Sequence, residues 1–148
     1  MQLPPTKTQV EANKRLESAL NDCNAEFVEF AVTKASLVLH PIHASILIRL
    51  VEAPWHKSHE DVVHLLQVLR SPDAVSVLEK STFAAHGYLA YDNNYALARK
   101  CTWALADIGT PEAYQTLTRI ATCADTTIAG YARRRLDNWQ IELSRKGK

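Results

Sequence analysis

Histidines are the residues of this chain best suited to metal chemistry, and three of them lie close together at His56, His59 and His64. Two histidines can hold one zinc ion from a single helix face when they are four residues apart. His59 and His64 are five residues apart, which places them on different faces of a helix. The spacing therefore predicts exposed or loop histidines and no metal site.

The sequence gives little support for nucleophilic or acid–base catalysis. Cys101 lies on the apolar stripe of a predicted helix, as a buried small hydrophobic residue does. Most carboxylates take first-turn, cap or loop positions, where the helix dipole explains them. Asp107 falls in a last turn instead, and both a tether to Arg99 or Arg133 and a role in ligand binding stay open. No glycine-rich phosphate loop is present, so we expect no enzyme, no cofactor and no small-molecule substrate.

Basic residues predominate from Tyr131 onward, where six cations, among them Arg133, Arg134 and Arg135, face two carboxylates. Such a cluster can bind phosphates. Three consecutive arginines nevertheless spread around a helix at about 100° per residue and do not share one face. The last turn of a helix also favours cations. A solvated, polar end of the protein is the preferred interpretation.

Aromatic residues form the more informative group. They comprise Trp55, beside His56 in one predicted break between helices, and Tyr88, Tyr91 and Tyr95, which lie with Asp92 at a longer break. Partly exposed aromatic side chains at loops are typical anchors of protein interfaces. An extended loop also needs packing of its own, so the same side chains could instead seal the gap between helices. Both interpretations stay open.

The elements that position these residues are helices, and residues 98–113 indicate how they are joined. A stripe of small and apolar residues marks a helix that ends at Gly109, where a left-handed conformation stops a helix at little cost. Thr110 can cap the next helix, and Pro111 suits its first position. The last helix of the chain is predicted to start after Asp125 and to continue without a break.

This helix–turn–helix unit recurs along the chain. Ser71-Pro72-Asp73-Ala74 stands thirty-nine residues before Thr110-Pro111-Glu112-Ala113 and matches it in residue type at each position. Weaker copies occur at Tyr131 and at His40. A period of about 35 to 40 residues is typical of stacked helical repeats. We therefore predict an all-α fold, an α-solenoid of about three to four stacked helical hairpins.

Composition limits the remaining possibilities. Of 148 residues, 47% are apolar and 22% are charged, with a net charge of +1. That composition predicts one domain over residues 1–148, with residues 1–7 loose and residues 58–140 the best-supported repeats. Nucleic-acid and membrane partners are disfavoured, because the charge is near neutral and no apolar run approaches ~20 residues. Without signal-peptide features, and with three cysteines that cannot all pair, we expect reduced thiols in a cytoplasmic protein.

One set of residues points to a known family: Ala98 and Arg99, then Ala104 and Leu105, then Ile108-Gly109-Thr110-Pro111-Glu112-Ala113. It resembles HEAT-type repeats, in particular the short bacterial HEAT-like repeats also seen in phycobilisome-lyase-related proteins. That family usually has glycine where Ala106 stands and aspartate where Thr110 stands. The resemblance implies a fold and action by binding, and it identifies no substrate.

The expected function is binding of another protein. The residues expected to face the partner from the second helix of each hairpin are Arg49, Glu79, Gln115 and Arg119, flanked by the tyrosine-rich break. Proteins of this kind commonly serve as adaptors or as inhibitors that cover an enzyme, and the resemblance implies an immunity protein against a toxin as one specific form. The alternative is a nucleic-acid-binding protein similar to the HEAT-like alkyl-purine DNA glycosylases, which a near-neutral charge disfavours. A tetrapyrrole-handling accessory protein is a third alternative.

Overall fold

Helices account for the regular structure of residues 2–145, the part of the chain that the computed structural model describes. Within these residues the α-helices are α1 (Lys7–Asn21), α2 (Ala25–Leu37), α3 (Ala44–Glu52), α4 (His59–Leu69), α5 (Val75–Thr82), α6 (Tyr95–Ile108), α7 (Pro111–Ile120), α8 (Thr126–Asp137) and α9 (Trp139–Arg145). Short 3₁₀ helices lie at Pro41–His43, Pro72–Ala74 and Gly87–Asp92. The all-α prediction is confirmed. No helix of this part of the chain combines the length and the apolar character that crossing a membrane requires.

Helix contacts follow an alternating pattern along the chain. The even-numbered helices form one series, in which α4 contacts α6 and α6 contacts α8. The odd-numbered helices form a second series, in which α3 contacts α5 and α5 contacts α7. At the N-terminal side, α1 packs against both α2 and α3. Helices α3 to α7 each contribute fully buried leucines to a shared core, namely Leu47, Leu50, Leu66, Leu78, Leu97, Leu105 and Leu117. Each helix therefore buries its apolar stripe against neighbours from both directions of the sequence.

The turn between α6 and α7 has the conformation predicted from its residues. Gly109 is left-handed, with φ 68°. The Thr110 hydroxyl accepts a hydrogen bond from the backbone N–H of Ala113 at 3.2 Å, and Pro111 is the first residue of α7. Gly109 ends α6, Thr110 caps α7 and Pro111 begins it, so two residues are enough to join the two helices.

The earlier copy of this turn, between α4 and α5, is built with less suitable residues. Arg70, thirty-nine residues before Gly109, takes the same left-handed conformation with φ 50°. Ser71 makes no side-chain capping bond, and Pro72 opens a 3₁₀ turn rather than the α-helix itself. A side chain in the left-handed region costs energy that glycine avoids, so this turn carries local strain.

The prediction of one continuous final helix is wrong. Helix α8 ends at Asp137, and α9 begins at Trp139. The Asn138 side chain donates a hydrogen bond to the carbonyl oxygen of Arg134 at 2.8 Å, and such a side-chain bond competes with helix continuation. The break lets Trp139 pack edge-on against Tyr114 of α7, with ring centroids 5.0 Å apart.

The residues before α1 are bonded to the folded chain at two points. Thr6 and Gln9 form a reciprocal capping box, with distances of 2.8 and 3.2 Å. The carbonyl oxygen of Leu3 lies 3.0 Å from Nε2 of His40, which precedes the first 3₁₀ turn. Residues 3–9 therefore lie against the region where α3 begins.

Candidate functional site

Three imidazole rings stack face to face where the α3–α4 break meets the start of the Gly87–Asp92 segment. The ring centroids of His56 and His59 are 4.0 Å apart, and those of His59 and His86 are 3.9 Å apart. His56 and His59 are almost completely buried, whereas His64 is exposed on α4. The expectation of exposed or loop histidines is therefore confirmed for His64, which is exposed, and for His56, which lies in a loop although it is buried; it is wrong for His59, which is buried at the start of α4.

Backbone groups make this burial possible. Nε2 of His56 lies 2.6 Å from the carbonyl oxygen of Leu50, and Nε2 of His59 lies 2.7 Å from that of Ala53. Leu50 lies in the last turn of α3, where its carbonyl also accepts from the backbone N–H of Ala53 at 3.3 Å, and Ala53 is the residue after the helix. Each ring thus donates to a backbone carbonyl, which compensates for its removal from water.

The remaining ring nitrogens accept hydrogen bonds, so the imidazoles are neutral. Nδ1 of His56 accepts from the backbone N–H of Ser58 at 3.0 Å, and Nδ1 of His59 lies 2.7 Å from the hydroxyl of Tyr88. Burial lowers the pKa of His59 to about 4, despite its hydrogen bond to Ala53. Burial also lowers the pKa of His56. Because these nitrogens are engaged in hydrogen bonds, their role is to join segments of the chain.

His43 shows the same chemistry at the other end of α3. Its Nδ1 accepts from the backbone N–H of His40 at 3.1 Å, and its Nε2 lies 2.9 Å from the carbonyl oxygen of Gln9. Burial lowers its pKa as well. Over residues 2–145, no group of three His, Cys, Asp or Glu side chains has a geometry that could hold a metal ion.

The tyrosine-rich break contains the 3₁₀ helix Gly87–Asp92, which is bonded to the rest of the chain at both ends. At its start, Tyr88 is joined to His59, and the backbone N–H of His86 donates to Oδ1 of Asn94 at 2.8 Å. At its end, Oδ2 of Asp92 accepts from the backbone N–H of Ala96 in the first turn of α6 at 3.0 Å. These contacts join both ends of the segment to the neighbouring helices.

The predicted aromatic residues divide into anchored and exposed members. Trp55 packs edge-on against His56 with ring centroids 5.4 Å apart, and it lies against the core. The Tyr95 hydroxyl donates to Oδ2 of Asp125 at 3.0 Å, and Tyr88 is held by His59 as described. Tyr91, by contrast, has 79% of its surface exposed. Three aromatic side chains therefore make internal contacts, and Tyr91 projects into solvent.

The four polar residues predicted on the second helices lie on α3, α5 and α7. Glu79 of α5 accepts two hydrogen bonds from Arg119 of α7, at 3.0 and 2.9 Å, and this fork-shaped contact lowers the pKa of Glu79. Arg119 also donates to the hydroxyl of Thr116 at 3.0 Å. Arg49 and Gln115 are exposed. The pair joins neighbouring helices, and it is a planar, bidentate arrangement.

Two further predictions concern charged residues near α6. Oδ2 of Asp107 accepts a hydrogen bond from the Gln67 side chain of α4 at 2.8 Å, which supplies a partner that the sequence did not indicate. The expectation of a solvated arginine run is confirmed for Arg133 and Arg134 and wrong for Arg135. Arg135 turns inward because Glu142, at 2.9 Å, and the ring of Trp103 offer it partners there.

Cys101 behaves as predicted, as a buried thiol in the core between α5 and α6. It has no exposed surface, and burial raises its pKa to about 12. A thiol with such a pKa stays protonated and is a poor nucleophile.

Comparison with known proteins identifies no relative: no family model, no curated protein and no solved structure matches this chain.

Proposed function

We propose that this protein is a non-catalytic binding protein that holds another protein against Tyr91 of the Gly87–Asp92 segment. The observation that carries the proposal is the contrast within that segment. Tyr88 and Asp92 are bonded to α4 and α6, while Tyr91 between them has 79% of its surface exposed. A large amphipathic side chain is thereby presented on a backbone that is already ordered.

Ordering matters energetically, because association loses free energy when loops and side chains become immobilised. A segment that is bonded at both ends before binding avoids most of that loss. Tyrosine is also among the residues that most often dominate binding energy at protein interfaces. Tyr91 therefore has both the residue type and the support expected of an interface anchor.

The architecture we propose is an α-solenoid of stacked hairpins. The alternating contacts of α4 with α6 and α8, and of α3 with α5 and α7, support it. The two proline-led turns after Arg70 and Gly109, thirty-nine residues apart, support it as well. In such a stack, α3, α5 and α7 form one surface, and Arg49, Glu79, Gln115 and Arg119 are its polar groups. We include these four residues in the proposed partner surface.

An inhibitor that covers an enzyme, such as a cytoplasmic immunity protein, is the specific form of this function that we favour over an adaptor. A pre-ordered surface suits that task, since little entropy is lost when the inhibitor binds. The exposed ring of Tyr91 would enter the partner's concave site, and the Glu79–Arg119 pair would contact its rim.

Affinity capture from a lysate of the source organism tests the proposal. The immobilised wild-type chain is compared with Tyr91→Ala and with Leu37→Ala, since Leu37 is a similarly exposed residue (74%) at the end of α2. We expect one protein to be retained by the wild type and by Leu37→Ala, and its yield to fall at least about tenfold with Tyr91→Ala. Retention that is equal in all three proteins, or no specific retention, would contradict the proposal.

A further inference from the structure

A groove of about 500 Å³ lies between α6 and α8. Its lining includes Arg99 and Trp103 from α6 and Gly130, Tyr131, Arg134 and Arg135 from α8. Its volume falls within the range of small-molecule sites. The lining contains three arginines and no carboxylate.

Two of these arginines carry charge that the described residues do not neutralise. Arg135 is paired with Glu142 at 2.9 Å. Arg99 and Arg134 are exposed, and no carboxylate oxygen of residues 2–145 lies within 4.0 Å of either guanidinium. Arg99 and Arg134 therefore present two positive charges to whatever enters the groove, and the Asp107 carboxylate acts on Arg135 in its wall.

Arg135 and Trp103 form a rigid wall of the groove. The guanidinium carbon of Arg135 lies 3.4 Å from the centroid of the Trp103 ring, in cation–π contact. Burial lowers the pKa of Arg135; Glu142 opposes that shift, and the charge of the neighbouring Arg134 adds to it. Arg135 covers one face of the Trp103 ring, and the residue keeps 37% of its surface exposed at the lining of the groove.

Gly130 keeps the groove open at a cost to α8. A glycine inside a helix is less stable than alanine by about 1 kcal/mol. Apart from its chain neighbours and the backbone of α8 itself, no atom lies within 4 Å of the position that a Cβ at residue 130 would occupy, so packing against other elements does not require glycine there. A locally unfavourable residue with no packing reason indicates a functional constraint, and here its effect is free space beside the arginines.

Side-chain hydroxyls complete the lining. Thr126 and Thr127 lie in the first turn of α8, and Thr102 lies on α6. The backbone N–H groups of Thr127 and Ile128 already donate to Oδ1 of Asp125. The Thr102 hydroxyl donates to the carbonyl oxygen of Arg99 at 2.7 Å, so the arginines, rather than the hydroxyls or the end of the helix, are the main donors that a ligand would meet.

We propose that this groove binds a small phosphate monoester that carries a planar ring, as a nucleoside monophosphate does. The phosphate has a charge of about −1.5 to −2 at pH 7, which matches the two unpaired arginines, and guanidinium groups bind its oxygens in a bidentate manner. The planar ring lies along Trp103 and Tyr131 in the space that Gly130 leaves. A long polyanion is disfavoured, because Arg133 lies outside the groove and the chain carries a net charge of only +1.

Isothermal titration calorimetry with AMP, GMP, CMP and UMP tests this proposal. We expect at least one of them to bind with a Kd of about 1 mM or tighter. Arg134→Gln should weaken that binding at least about tenfold, because a charge-assisted contact is lost. Arg133→Gln is the matched control, since it removes the same charge from the same helix outside the groove, and it should leave the affinity within about threefold.

Gly130→Leu tests whether binding needs the open space of the groove as well as its charge. The substitution places a side chain in the open space, improves helix propensity and changes no charge, so the protein should fold and lose the ligand. Circular dichroism of each variant verifies folding. Ribose 5-phosphate, which has no planar ring, should bind at least about tenfold more weakly than the best nucleotide.

Four results would overturn the proposal. They are no heat of binding with any of the four nucleotides, equal losses in Arg133→Gln and Arg134→Gln, unchanged affinity in Gly130→Leu, and binding of ribose 5-phosphate as tight as that of the nucleotide. Tighter binding of a short DNA duplex, with steep salt dependence and equal sensitivity to both arginine variants, would identify a nucleic-acid surface instead and also overturn it.

Discussion

Single side chains do more to connect this fold than their positions in the sequence suggest. His56, His59 and His43 each donate from Nε2 to a backbone carbonyl and accept through Nδ1. A buried imidazole is tolerated because both of its nitrogens have partners. These rings therefore act as connectors between segments, and they do so only in their neutral form.

The neutral requirement makes stability depend on pH. In the unfolded chain these histidines take up protons near pH 6.5, whereas folded His59 does so only near pH 4. As the pH falls below about 6.5, the unfolded chain therefore binds more protons than the folded one, and the free energy of unfolding decreases. We expect a loss of about 1 to 2 kcal/mol between pH 7 and 5.5 in urea unfolding.

Two variants show whether the histidine stack causes this loss. His59→Gln removes one of the depressed pKa values, so the slope of stability against pH should become shallower. His64→Gln, on the exposed face of the same helix, should leave the slope unchanged. A slope that His59→Gln does not alter would assign the pH dependence to other groups.

At the scale of elements, the two proline-led turns offer an internal comparison. Both place a residue in the left-handed region, at φ 50° for Arg70 and φ 68° for Gly109. Glycine takes this conformation readily, whereas a residue with a Cβ is strained there by roughly 1 kcal/mol. The same turn is thus built once with the favoured residue and once without it.

Exchanging these residues should shift stability in opposite directions. Arg70→Gly should raise the free energy of unfolding by about 0.5 to 1 kcal/mol, because it removes the strain at an exposed position. Gly109→Ala should lower it by about 1 kcal/mol or more, because it introduces the strain. Urea unfolding at pH 7.5 measures both, and shifts of the same sign would refute the explanation.

The ends of helices were predictable where the residue types at the turn determine them. The stop at Gly109, the cap at Thr110 and the start at Pro111 follow from residue types within three positions. The break at Asn138 was missed, because the apolar stripe continues through it. Two contacts accompany the break. The side-chain bond from Asn138 to Arg134 is local, whereas the packing of Trp139 on Tyr114 is a tertiary contact that the sequence does not show.

At the scale of the whole molecule, α6 is the central element. It contacts α4, α5, α7, α8 and α9, whereas the main contacts of α2 are with α1 and α4 alone. A helix is held in place by the neighbours it packs against, so a helix with few such neighbours should open more readily than one with many.

Hydrogen–deuterium exchange followed by mass spectrometry tests this order. We expect the amides of α6 to exchange most slowly and those of α2 at least about tenfold faster, because fewer packed neighbours must open to release α2. Uniform protection across both helices would mean that the chain unfolds as one cooperative unit and would contradict the expected order.

Residue types and spacings were enough to predict the helical class, the positions of the main turns and the burial of Cys101, because each depends on neighbours within one or two helical turns. Packing alone decided which aromatic side chain stays exposed, which histidines are buried and where unpaired arginines face a groove. Tyr88 contacts His59 from twenty-nine residues away, and Arg99 of α6 and Arg134 of α8 line the same groove. Such placements depend on the angles at which helices cross, and no local periodicity of the sequence encodes those angles.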